Sequence, residues 1–236
     1  MIQAQVEAFN QFTKTIAING LEQYVMYIGS WAEFIYSQTG VLKYDPMLRT
    51  SDIDVFVPNI RKPTTPMNLP EILKAQGYFY DRGIDGHVRF LVPGANLEIE
   101  FLSRSLGQGQ IEPYKTTLGV PAQGLRNMEI LSNNPLTLNY NRVPVLVPIP
   151  AAYVLHKMVI NKERGQVHKI EKDLQAIKYI DQVTMSNELF QNQLVSIFSK
   201  LTKKQQNKVT SLCKEHDLFS TIQAMKCTQQ KNIGGR

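Results

Sequence analysis

The chain has 236 residues, of which 43% are hydrophobic and 19% are charged, and its formal net charge is +6. This length allows one large domain or two modest ones, and the composition is that of an ordinary globular protein. No apolar run is long enough to span a bilayer, and the first residues lack the basic and apolar parts of a secretory signal, so we expect a cytoplasmic protein with no membrane partner.

Positive charge is concentrated in the C-terminal part of the chain. Residues 1–150 carry 12 Lys and Arg against 13 Asp and Glu, whereas residues 151–236 carry 14 against 7. This excess favours a phosphate-rich partner, and a solvated basic helical face is the alternative explanation. Cys213 and Cys227 have no metal-ligand partners spaced around them, so we expect two reduced thiols.

The N-terminal region predicts a helix, a strand and a second helix. Residues 2–17 have helical apolar spacing, residues 24–28 are an apolar strand, and residues 30–37 are the second helix. The N-terminus of the second helix lies at Gly29 and Ser30, where backbone N–H groups and the helix dipole favour an anion such as a triphosphate. An N-cap role explains Ser30 as well, so both interpretations remain open.

Paired acids follow on later strands. Asp52 and Asp54 alternate with apolar residues, so a strand would place both carboxylates on one face, an oxygen environment that suits Mg²⁺. Residues 87–92 and 96–102 predict a hairpin whose second strand carries Glu98 and Glu100. If that strand lies beside the first acidic strand, one of the two glutamates completes a cluster of three carboxylates.

The second half of the chain changes character near residue 148. Residues 103–142 predict irregular β structure covering the sheet edge, and residues 143–147 predict a last strand. From Ala151 onward the apolar spacing is helical, and Pro150 suits the first turn of a helix. We therefore expect an N-terminal domain over 1–148, a helical domain over 149–236 and a polar, disordered tail.

A strand ending in Gly-Ser, a helix and then a strand with Asp-x-Asp resemble the nucleotidyltransferase superfamily, which has the polymerase-β-like fold. Glu98-Ile-Glu100-Phe-Leu is similar to its third acidic position. Residues 147–157, Arg164 and 172–174 are similar to the region after the catalytic domain in relatives of abortive-infection toxins of toxin–antitoxin pairs. The resemblance implies an α+β fold, a mixed β-sheet with flanking helices followed by a C-terminal helical bundle.

The resemblance also implies roles for individual residues. Asp52, Asp54 and Glu100 would be catalytic and would hold two Mg²⁺ ions, with Glu98 as the fallback third ligand, because Glu100 precedes an apolar pair as in the relatives. Gly29, Ser30 and Lys157 would bind the triphosphate of an NTP.

Two further residues of the helical domain belong to the implied nucleotide site. Arg164 would assist Lys157, and Asp173 would orient one of these cations by an ion pair. Without the resemblance, all three charges read as solvated helix residues. Arg49 and His87 are further candidates, for nucleotide contact and proton transfer, and surface or structural roles explain them too.

The expected function is Mg²⁺-dependent transfer of a nucleoside monophosphate to an acceptor hydroxyl. The basic C-terminal region favours tRNA or another RNA as acceptor, in a toxin with a cognate antitoxin. The alternatives are a small-molecule acceptor such as an aminoglycoside antibiotic, and a non-catalytic nucleotide or nucleic-acid binder of the same fold.

Overall fold

The computed structural model describes residues 2–43, 50–59, 63–83, 88–107 and 112–218. The predictions for Arg49, His87, Cys227 and the C-terminal tail lie outside these residues. Cys213 is a free, buried thiol, as predicted. Within the described ranges, no helix is both long enough and apolar enough to cross a bilayer.

The helices agree with the predicted ones in order and place. In the described residues they are α1 (Ile2–Ile18), α2 (Gly29–Gln38), α3 (Leu69–Ala75), α4 (Pro150–Ile160), α5 (Val167–Met185), α6 (Glu188–Lys200) and α7 (Lys203–Glu215). Pro150 lies in the first turn of α4, where a missing N–H costs no hydrogen bond. The apolar spacing of residues 209–218 predicts the last helix, whereas α7 begins earlier, because Thr202 and Gln205 form a capping box that starts it at Lys203.

The strands form one mixed sheet and a separate hairpin. They are β1 (Met26–Tyr27), β2 (Asp52–Phe56), β3 (Phe79–Arg82), β4 (Val88–Leu91), β5 (Glu98–Arg104), β6 (Tyr114–Lys115), β7 (Pro121–Leu125), β8 (Leu136–Tyr140) and β9 (Val143–Val147). The sheet order is β1-β2-β5-β4-β3, with β7 pairing β5, β6 pairing β7, and β8 pairing β9 separately. Strand β5 runs parallel to β2 and β7 and antiparallel to β4, so the predicted mixed sheet is confirmed.

The prediction for residues 103–142 needs correction. We expected irregular β structure that covers the sheet edge, whereas β7 joins the main sheet by pairing with residues 102–104 of β5. Its backbone satisfies the hydrogen bonds that the end of β5 would otherwise lack, which the Gly- and Gln-rich sequence does not reveal.

An aromatic cluster holds the N-terminal helices against the sheet. Phe9 of α1 stacks on Trp31 of α2 with ring centroids 4.1 Å apart, and it meets Tyr27 of β1 edge to face at 5.3 Å. Tyr140 of β8 lies 5.7 Å from the Phe9 ring and 6.0 Å from that of Phe34. These contacts between large buried rings fix α1 and α2 relative to β1 and β8.

The chain divides into two compact units. The first consists of Met1–Arg126 and Pro135–Pro148, and the second of Asn127–Asn134 and Ile149–Arg236. The short segment within the second unit contributes buried side chains, among them Met128 and Ile130. Gln205 of α7 donates to Asn127 Oδ1 at 3.0 Å and to Glu129 Oε1 at 3.1 Å, which ties this segment to the helical unit.

Candidate active site

Four carboxylates lie on one face of the main sheet. Strands β2 and β5 are parallel and in register, so that Asp52 is opposite Glu98 and Asp54 is opposite Glu100. The alternate residues of both strands are buried in the core: Ile53, Val55, Ile99 and Phe101. Neighbouring strands are about 4.8 Å apart. The structure therefore places all four acidic residues predicted for the metal site on adjacent positions of one face.

An arginine that the sequence analysis missed lies on the same face. Arg89 of β4 is directly opposite Glu100 of β5 on one side and Asp81 of β3 on the other. Its Nη1 donates to Glu98 Oε2 at 2.8 Å, and its Nε lies 3.4 Å from Asp81 Oδ2. Glu98 is thus held in an ion pair, while Glu100 is the residue in register with Asp54. The same register pairs Asp52 with Glu98, so the choice of Glu100 over Glu98 as the third acidic ligand stays a prediction.

Helix α2 begins directly beside Asp54. Its first residue, Gly29, has a φ of +62°, and a Cβ built there would lie 2.3 Å from Asp54 Oδ2. Glycine adopts this left-handed conformation without strain and leaves room for the carboxylate. The N-cap is Ile28, which makes no side-chain cap hydrogen bond, so Ser30 lies inside the helix and is not its N-cap. The anion-favouring end of α2 therefore adjoins the acidic face.

Two hydrogen bonds tie the start of α2 to the aspartate strand. The Trp31 indole Nε1 donates to the carbonyl oxygen of Asp52 at 2.9 Å, and the backbone N–H of Ile28 donates to that of Asp54 at 3.1 Å. Trp31 is fully buried, and its stacking on Phe9 fixes its orientation. The helix N-terminus and the two aspartates therefore form one rigid arrangement in which Trp31 is the connecting side chain.

The acidic residues carry the kind of side chain that binds a hard divalent cation, and their backbone positions are adjacent. Carboxylate oxygens are preferred ligands of Mg²⁺. Among the described residues, no three His, Cys, Asp or Glu side chains are grouped so that they could hold one metal ion. Asp52 accepts from Ser51 Oγ at 2.8 Å and Glu98 accepts from Arg89 at 2.8 Å. Metal binding would thus draw carboxylates away from the partners they have in this structure.

The predicted charged residues of the helical unit form an ion-pair cluster of their own. Asp173 accepts from Lys157 Nζ at 2.6 Å and from Arg164 Nε at 3.1 Å, so the expected ion pair is present with both cations. Lys157 Nζ also lies 4.9 Å from the centroid of the Tyr153 ring. The Arg164 side chain is 36% exposed and that of Lys157 only 8%. Arg164 is therefore the more accessible cation, and contact of either with a nucleotide stays a prediction.

His156 lies beside this cluster with an unusual protonation equilibrium. Burial and, to a smaller extent, the positive charges of Lys157 and Arg164 lower its pKa from 6.5 to about 3, against the opposing effect of Asp173. In the described part of the chain its Nε2 has no hydrogen-bond partner. His156 is therefore neutral at physiological pH.

Comparison with known proteins gives the family. A family model described as nucleotidyltransferase matches residues 8–199, most of the chain. The chain belongs to the nucleotidyltransferase family. It is therefore a nucleotidyltransferase enzyme with an NTP as substrate, which confirms the superfamily that the Gly-Ser and Asp-x-Asp motifs indicated. A search of the curated proteins found no significant match.

Two solved structures are similar to this chain. An antigenic nucleotidyltransferase-like protein from Paracoccidioides brasiliensis is 18% identical, with a TM-score of 0.51, and the match covers 85% of this chain and 84% of that one. The antibiotic-resistance factor ANT(2'')-Ia is 14% identical, with a TM-score of 0.44 and coverage of 92% and 95%. The first similarity supports the fold of this nucleotidyltransferase, and the second is too low to carry an argument.

Two residues of the candidate site had signals that sequence analysis could have used. Arg89 is a charged residue within the apolar run Val88 to Leu91, on the strand before the glutamates. Trp31 directly follows the Gly-Ser pair, and it is the only tryptophan. A charge in a sheet strand and a large aromatic residue at a helix start both indicate a specific partner.

Proposed function

We propose that this nucleotidyltransferase transfers a nucleoside monophosphate from an NTP to an RNA hydroxyl in a Mg²⁺-dependent reaction. One observation carries the proposal: the N-terminus of α2 lies against Asp54, on a face where Asp52 and Glu100 occupy neighbouring positions. An anion-favouring helix end and a set of carboxylates side by side suit a triphosphate and its cations, respectively.

The residues of the sheet unit then have distinct tasks. Gly29 allows a phosphate to approach the backbone closely, and the Ser30 hydroxyl donates to a phosphate oxygen. Asp52 and Asp54 would hold one Mg²⁺ and, with Glu100, a second. When bound, these ions supply positive charge to the triphosphate and lower the pKa of the acceptor hydroxyl.

The reaction is an in-line displacement at the α-phosphorus. The acceptor oxygen forms a bond to that phosphorus, the bond to the bridging oxygen of the β-phosphate breaks, and pyrophosphate leaves with the bonding electrons. The acceptor hydroxyl loses its proton to solvent. The contribution of Gly29, Ser30 and the three acids is to hold the reacting groups in line, which accounts for much of the rate gain in such enzymes.

RNA is the acceptor favoured by charge. Residues 151–236 carry 14 Lys and Arg against 7 Asp and Glu, and a phosphodiester backbone complements this excess. A tRNA acceptor, a toxin role and a cognate antitoxin belong to the same proposal. They are supported by the resemblance of residues 147–157, Arg164 and 172–174 to the abortive-infection toxin group.

The proposal is tested by incubating the purified protein with each α-³²P-labelled NTP, total RNA and a panel of aminoglycosides, with Mg²⁺ or with EDTA. We expect label in RNA, only in the presence of Mg²⁺ and with one preferred NTP. Label in an aminoglycoside alone would establish the small-molecule alternative. Label in EDTA would contradict the metal requirement.

Substitution of the acids tests the assignment of the site. Asp52→Asn and Asp54→Asn should each abolish transfer without lowering the unfolding temperature, because each removes a ligand charge and no core contact. Glu71→Gln, an exposed change on α3, is the control with the same change of charge. Glu100→Gln should reduce transfer more than Glu98→Gln, and the reverse order would make Glu98 the third ligand. Wild-type transfer by either asparagine variant would refute the site.

A further inference from the structure

The acidic face carries a fixed positive charge for which the proposed reaction has no role. Arg89 donates to Glu98 at 2.8 Å and approaches Asp81 to 3.4 Å, and its position is directly opposite that of Glu100. Its side chain is 26% exposed. A guanidinium stays charged at every physiological pH, so this is a permanent cation among carboxylates.

The surroundings of Arg89 explain how so many carboxylates can share one face. Asp52, Asp54, Glu98 and Glu100 occupy adjacent positions, and like charges at such spacing repel each other. The residue opposite Arg89 is acidic on both neighbouring strands: Glu100 on β5 and Asp81 on β3. Its charge therefore offsets part of that repulsion and fixes Glu98 by an ion pair.

We propose that Arg89 is a positioning residue, a resident counter-ion that competes with the divalent metal for the carboxylates of this face. The inference rests on the proposed metal-dependent function, since it assigns the metal to these acids. Arg89 stabilises the cluster while no metal is bound. The same charge weakens metal binding to the nucleotide-free protein. The metal therefore binds stably only when its nucleotide is bound as well.

A matched pair of variants separates this role from a general effect of charge. Arg89→Met removes the guanidinium from the acidic face. Arg82→Met removes the same charge from the adjacent strand β3. Arg82 is exposed and alternates with Asp81, so it lies on the opposite face. Arg89→Lys retains the charge and should restore near-normal behaviour.

Mn²⁺ binding, followed by electron paramagnetic resonance without nucleotide, is the first measurement. Arg89→Met should bind Mn²⁺ about tenfold more tightly than the wild type, because a nearby positive charge no longer repels the ion. Thermal unfolding in EDTA is the second. Arg89→Met should unfold at a lower temperature than the wild type, and saturating Mn²⁺ should reverse the loss. Arg82→Met should show neither change.

Two results separate failure of the inference from failure of the proposed function. Wild-type protein that binds Mn²⁺, with equal or weaker binding in Arg89→Met, overturns the role of Arg89 and leaves the metal site intact. Absence of Mn²⁺ binding in all variants overturns the metal site and, with it, the competition. In that case, thermal unfolding in EDTA still tests whether Arg89 acts as a counter-ion. That role is refuted if Arg89→Met is as stable as Arg82→Met.

Discussion

Replacement of Gly29 by alanine tests the contact between the helix start and Asp54. The new Cβ would lie 2.3 Å from Asp54 Oδ2, whereas ordinary contacts begin at 3.4 Å, so the carboxylate has to move by about 1 Å. A misplacement of about 1 Å at a reacting centre can cost on the order of 100-fold in rate. We therefore expect Gly29→Ala to lose about 100-fold in kcat/KM for nucleotide transfer.

Gly20→Ala is the matched control for backbone strain. Gly20 has a φ of +66°, close to the +62° of Gly29, and its Cβ would meet nothing within 4 Å. An alanine in this left-handed conformation costs roughly 1–2 kcal/mol at either position. For a chain of this size each 1 kcal/mol lowers the unfolding temperature by about 2–4 °C. Both variants should show this loss of stability, and only Gly29→Ala should also lose activity.

The assay follows label transfer from the preferred NTP, alongside thermal unfolding of both variants. Equal kcat/KM for Gly29→Ala and Gly20→Ala would refute the reasoning. It would mean that the position of the Asp54 carboxylate relative to α2 does not limit the reaction.

Two further predictions concern the helical unit. Asp173→Asn should destabilise the protein by about 3–5 kcal/mol, because it removes the anion that pairs with the buried ammonium of Lys157. Chemical denaturation measures this, and Glu215→Gln, which breaks an exposed ion pair with Lys162, should lower stability far less. Because the folded-state pKa of His156 is lowered from 6.5 to about 3, its stabilising contribution is complete above pH 6.5 and is lost as the pH falls towards 3. At pH 4.5 the loss should be about 3 kcal/mol in the wild type and absent in His156→Gln, and equal pH dependence of the two would contradict this assignment.

Much of the fold could be predicted because its signals are local. The alternation of Asp52, Ile53 and Asp54 predicted a strand with both carboxylates on one face, and burial of Ile53 agrees with it. Pro150 predicted the first turn of α4 for a similarly local reason, the absence of an N–H. The start of α7 was placed too late, because its capping box was not recognised.

The sequence by itself determined that acids and a phosphate-favouring turn exist, since residue type and spacing set the chemistry of each segment. Only the tertiary structure decided which of them meet. The parallel register of β2 and β5 pairs Asp54 with Glu100, and Arg89 binds Glu98 from a third strand. Ser30 lies within α2 and is not its N-cap, because the helix already begins at Gly29, where the backbone turns against Asp54. Such relations depend on strand pairing between distant segments, and a one-residue change of register would reverse which side chains share a face.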